Sequence, residues 1–240
     1  MVRSRPAVSS PQGLVAAIVR WGMEGAPIPS PLPGGDPLRF RSARELADDY
    51  RPRIRQVGLQ QAIAELIDDQ ARWNAGTGFI TGIGGMVLLP VQLPAAVTAT
   101  WVIQTRLVAA IAHLNGFDLE HEAVRTQILL TLIGEEAGEV LKQVSIKLSQ
   151  QIALAQLRRL PGPALAAINR AVGFQLLSRV GEQGVLRLHR AVPLLGGVVG
   201  GGIDYVMTRR LGEFAASELG RRAPNGPCEE EVIDVEVVDG

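Results

Sequence analysis

Between Ala75 and Thr105 the chain runs for 31 residues without a charged side chain, yet Pro90 and Pro94 stand four apart inside that run. About 20 apolar residues suffice to cross a bilayer as a helix, so length alone permits a span. Each proline removes a backbone amide and disfavours helix in the residue before it. A helix broken in this way and exposed to lipid would leave costly unsatisfied backbone groups. Two helices folded back as a hairpin and buried in protein fit better than a shallowly inserted hairpin or a span. Gly78, Gly82, Gly84 and Gly85 let one backbone approach another closely.

A second stretch, from Ala191 to Ile203, is also free of charge, and pairs Gly196 with Gly200 and Gly197 with Gly201 at small-xxx-small spacing. Its thirteen residues are too short for a span. The two Gly-rich segments are expected to pack on each other.

The remaining pattern is helical. "SARE" places Ser42 and Glu45 at capping-box spacing, and the helix that follows is expected to weaken at Pro52. Leu59, Ile63, Leu66 and Ile67 form a helical stripe with an acidic outer face. "PAAVTATWVIQTRLVAAIAHLNG" is apolar nearly all round, which predicts a buried helix ending at Asn115-Gly116. Asp118 is the expected N-cap of the next helix, and Gly173, Gly181 and Gly184 are expected to divide a later one into pieces. The expected architecture is all-α: a compact multi-helix bundle whose two Gly-rich apolar segments pack as broken or hairpin helices.

Three regions follow. Residues 1–41, with "APIPSPLPGGDPLRF", read as a flexible Pro/Gly-rich arm carrying a short helix, and Arg20 within "GLVAAIVRWGM" argues against a signal peptide. Residues 42–222 form the helical domain, and residues 223–240 form an acidic, disordered tail. "EEVIDVEVVDG" in that tail alternates like a strand that could add to a partner's sheet.

A formal net charge of zero hides an asymmetry: residues 140–222 carry 12 Lys and Arg against 4 acids, whereas the tail has six acids and no base. Lys142, Lys147, Arg158, Arg159, Arg179, Arg187 and Arg190 could line a surface facing anionic lipid. Aromatic residues are only 4% of the chain and no nucleic-acid-reading motif is present, so a nucleic-acid partner is not expected.

Catalytic and cofactor motifs are missing. "GIGGMV" lacks the third glycine and the preceding strand of a dinucleotide fingerprint, and no phosphate-binding Gly-x4-Gly-Lys motif occurs. His113, His121 and Glu122 are separated by the Asn115-Gly116 break, and the single cysteine, Cys228, sits in the tail. Neither a cofactor nor a metal is expected. The informative polar residues are those set among apolar ones: Arg106, Glu135, Glu139, Asn169 and Asp204. A buried charge needs a partner. Arg106 is therefore expected to pair with Glu135, Glu139 or Asp204, forming a buried network or a headgroup pocket.

Four ordered motifs, "GTGFITGIGGMVLLPVQLPA", "QTRLVAAIAHLNGFD", "INRAVGFQLLSRVGEQGV" and "AVPLLGGVVGGGIDYVMTR", resemble landmarks of the bacterial EcsC protein family across roughly residues 42–216. The resemblance implies a role beside transport or secretion machinery, since the founding member is encoded with an ABC transporter. It carries over no catalytic residue, and Ala96 and Val97 stand where relatives often place an acid after Leu-Pro-Ala. The expected protein is a cytoplasmic, non-enzymatic accessory protein, peripheral to the inner face of the membrane. Its expected partners are anionic lipids and transporter or envelope proteins. An enzyme acting on a lipid through Glu135, Glu139 and Arg106, and an adaptor working through its acidic tail, are the alternatives.

Overall fold

The computed structural model describes residues 11–28, 38–83, 89–144, 154–188 and 193–221. They form an all-α bundle with one very small ribbon. Helix α1 is Pro11–Glu24, α2 Ala43–Val57, α3 Leu59–Ile83, α4 Leu89–Leu114 and α5 Glu122–Ile133. A 3-10 turn, Gly134–Glu136, leads to α6, Ala137–Gln143, followed by α7, Leu154–Arg159, α8, Gly162–Leu188, and α9, Pro193–Arg221. Strands β1, Ala26–Ile28, and β2, Leu38–Phe40, pair antiparallel.

The helix that the sequence marks as apolar all round is the hub. Every residue of α4 from 101 to 112 is buried, and α1, α2, α3, α5 and α9 all pack on it. A helix enclosed on every side needs no polar face, so its pattern shows no amphipathic stripe. It stops where expected: Gly116 takes φ 87°, and its amide donates to the His113 carbonyl at 3.0 Å. The capping box at Ser42 and Glu45 is also formed in both directions, at 3.1 and 2.8 Å.

Helices α3 and α9 lie side by side and antiparallel. Asn74 donates to the Thr208 hydroxyl at 2.7 Å, Ile67 faces Gly212, and Gln60 lies near Gly220. Gly78 and Gly82 lie on α3 and Gly196, Gly197, Gly200 and Gly201 on α9, the two helices of this pair. Pro90 falls in the first turn of α4, where its missing amide has no helical partner to lose. Pro94 is accommodated one turn further in. Gly84 and Gly85 lie outside the described residues, as do the polar tail and Lys147. Among the described residues, no helix is long and apolar enough to cross a membrane.

Four local expectations need correction. The short helix expected in the flexible arm is α1, but it is part of the bundle: it buries Val15, Ile18 and Met23, because these residues share one helical face that Arg20 does not interrupt. Gly25 joins α1 to the ribbon at φ 83°, and a Cβ there would stand 2.4 Å from the Phe40 carbonyl oxygen, so only glycine fits. Helix α2 continues through Pro52, which lies on its exposed face and gives up a single bond, while Arg51 and Asp48 pair across that turn at 2.7 Å. His121, not Asp118, caps α5: its Nδ1 accepts from the Ala123 amide at 3.2 Å, while Asp118 closes the preceding turn through the Glu120 amide. Lastly, α8 is unbroken, and Gly173 within it serves close packing against Val15.

Candidate functional site

Arg106 is buried in α4, as expected, but its partners are not. Its Nη2 donates to the Gln70 Oε1 at 2.7 Å. Its guanidinium lies over the Phe40 ring at 4.0 Å and the Trp73 ring at 5.2 Å. Among the described residues it forms no ion pair with a carboxylate, and its buried Nε has no hydrogen-bond partner. Burial, with the charge of Arg41 adding to it, pushes the guanidinium pKa down to about 10. The aromatic faces supply part of what a carboxylate would have given. Sequence reasoning missed this box because Gln70 is neutral and Phe40 belongs to the presumed arm.

Glu135 and Glu139 do not reach it. Helix α5 ends at Gly134, φ 63°, and the chain passes through the 3-10 turn before α6 begins. That break turns both acids outward: Glu135 is exposed, and Glu139 pairs with Lys142 at 3.0 Å on the surface. Neither acid therefore joins Arg106 in the expected buried network. Asp204 is buried in α9, and among the described residues no ion pair joins it to Arg106. Among the described residues, no group of three or more His, Cys, Asp or Glu is placed to hold a metal ion.

Asn169 is likewise separate from Arg106. It lines an open groove of about 750 Å³ bounded by α1, α5 and α8. Its Oδ1 is buried without a hydrogen-bond partner.

The expected basic surface is only partly traceable. Arg158 and Arg159 are exposed in the last turn of α7, and Lys142 is exposed on α6 but neutralised by Glu139. Arg179 and Arg187 lie on α8, their side chains outside what is described, and Arg190 falls outside the described residues.

A basic and apolar face does stand clear on α9. Val206, Met207 and Phe214 are 47%, 51% and 38% exposed. With Ile203, Arg210, Ser217 and Arg221 they recur at i, i+3, i+4, i+7 spacing, within about 100° of arc at 100° per residue. Among the described residues Arg210 is exposed with no ion pair, Arg221 sits 3.8 Å from Glu218 at the edge, and no acid of α9 falls inside the arc. The opposite face of α9, with Thr208, Gly212, Ala215 and Leu219, is buried. Arg209 is tied sideways to Glu213 at 2.9 Å. The signal was present in the sequence as an acid-free stripe, but exposed and core apolar residues read alike there.

No curated protein and no solved structure matches the chain. The model of the EcsC protein family matches residues 44–222, which takes in every helix from α2 to α9 but for the first residue of α2. The chain belongs to the EcsC protein family.

Proposed function

We propose that the protein is a non-enzymatic accessory factor that docks reversibly on the inner, cytoplasmic face of an anionic membrane, where it serves envelope or transport machinery. The observation that carries this reading is the α9 face: three large, exposed apolar side chains interleaved with Arg210 and Arg221. Such a face suits the boundary between headgroups and acyl chains. Each arginine near an anionic surface contributes about 1 kcal/mol. Partial burial of each half-exposed apolar side chain adds about as much again. A total on the order of 5 kcal/mol gives weak, salt-sensitive attachment rather than anchoring. Charge also argues against a second copy on this face, since a two-fold contact centred here would bring Arg210 toward its own counterpart.

Flotation with phosphatidylglycerol-containing and phosphatidylcholine vesicles tests it. The wild type should float with the anionic vesicles at low salt and be released at high salt. The Met207→Glu/Phe214→Glu variant, altered only at exposed positions, should keep its helical circular dichroism and fail to float. Flotation of that variant like the wild type would overturn the proposal. So would sedimentation showing a wild-type dimer that the variant converts to monomer, because α9 would then cover another copy.

A further inference from the structure

The groove between α1, α5 and α8 has the features of a binding site for one molecule. Val15 and Met23 from α1 and Leu129 from α5 give it an apolar floor, all three buried. Its volume, about 750 Å³, lies in the range of small-molecule pockets. Around the mouth stand three arginines and three acids, but they are not equally free. Arg125 holds Glu120 at 2.9 Å and Glu24 at 3.9 Å, and Arg44 also reaches Glu120, at 3.2 Å. Arg20 on α1 and Arg170 on α8 are exposed and have no ion-pair partner among the described residues. Glu122 is the remaining acid without one, and it sits in the first turn of α5, where the helix dipole favours it.

The wall between floor and mouth carries Asn169. Its enclosed Oδ1 lacks a donor among the described residues, an arrangement that is disfavoured and that a turn of the amide toward the groove would relieve by accepting from a ligand hydroxyl. We infer that this groove binds a single-chain anionic amphiphile: an alkyl chain on the floor, a phosphate between Arg20 and Arg170, and a hydroxyl donating to Asn169. Guanidinium groups from two helices suit phosphate through charge-assisted hydrogen bonds. One wall, α1, precedes the part of the chain that the family model matches, so the groove combines the family domain with a helix outside it. The site extends the lipid-recognition reading to an individual molecule and is spatially independent of the α9 face.

Isothermal titration with short-chain lysophosphatidic acid, kept below its micelle concentration, tests the site. Binding at one molecule per chain is expected, with no comparable binding of inorganic phosphate or of the uncharged dodecyl maltoside. Arg20→Glu/Arg170→Glu should weaken it at least tenfold. Ala166→Trp, which fills the groove from its exposed wall, should do the same, whereas Met207→Glu/Phe214→Glu should bind like the wild type. Should Ala166→Trp fail to fold, the arginine pair still decides. Wild-type affinity in the arginine variant, or equal binding of inorganic phosphate or maltoside, would overturn the inference. Loss of flotation in the α9 variant with retained lysophosphatidate binding separates the two surfaces.

Discussion

Two glycines on α9 should respond in opposite directions to the same substitution. A Cβ at Gly202 would meet nothing within 4 Å, so Gly202→Ala should gain the helix-propensity difference, about 0.8–1 kcal/mol. A Cβ at Gly212 would stand 2.8 Å from both Cγ1 and Cγ2 of Ile67. Carbon atoms prefer about 3.5–4.0 Å, and a β-branched side chain hit on both γ carbons cannot rotate out of the way. Ile67 is buried, so α3 and α9 must separate instead. Overpacking of this kind costs about 1–3 kcal/mol, which cancels the propensity gain and leaves Gly212→Ala up to about 2 kcal/mol less stable than the wild type. Urea unfolding followed by far-ultraviolet circular dichroism measures both. Ile67→Ala in the Gly212→Ala background should cost less than Ile67→Ala alone, since the new methyl enters the vacated space. Equal midpoints for Gly202→Ala and Gly212→Ala would refute the close α3–α9 approach.

Gln70→Leu should cost about 1.5–3 kcal/mol, because it removes the hydrogen-bond acceptor that the structure gives the Arg106 guanidinium. Adding Arg106→Met should recover most of that loss in the same urea assay by removing the buried charge as well. Burial, then the neighbouring Arg51, holds the His113 pKa below its ordinary value, so the folded state resists protonation. Stability from this group is complete above about pH 6.5 and falls as the pH drops below that value toward the folded pKa. Thermal unfolding between pH 7 and pH 5 should therefore show a shallower decline for His113→Gln than for the wild type.

The parts of the fold legible in the sequence are those set by local chemistry. Ser42 and Glu45 cap α2 because the box needs only four consecutive residues, and Gly116 ends α4 because left-handed backbone there favours glycine. The uniformly apolar run around Arg106 announces the central helix for the same reason. Long-range pairing was not legible. Arg106 takes Gln70, 36 positions away, and rests on two rings, a solution that a search for carboxylates does not find. Glu135 and Glu139 read as a continuation of the buried helix before them, but the left-handed backbone at Gly134 resets the phase and leaves both on the surface. Val15, Ile18 and Met23 lay hidden beside a Pro-rich segment, which concealed both α1 and the groove it helps to form.

The most direct measurement places an environment-sensitive nitrobenzoxadiazole dye at position 207. The chain has a single cysteine, so Met207→Cys in a Cys228→Ser background allows one label, and Gln143→Cys, exposed on α6, provides the control. On adding phosphatidylglycerol vesicles at low salt, the dye at 207 should shift to the blue and become quenchable by lipid-borne quenchers, while the dye at 143 should not respond. A protein that binds the vesicles with the dye at 207 unchanged would contradict the assignment of α9 as the membrane-facing surface.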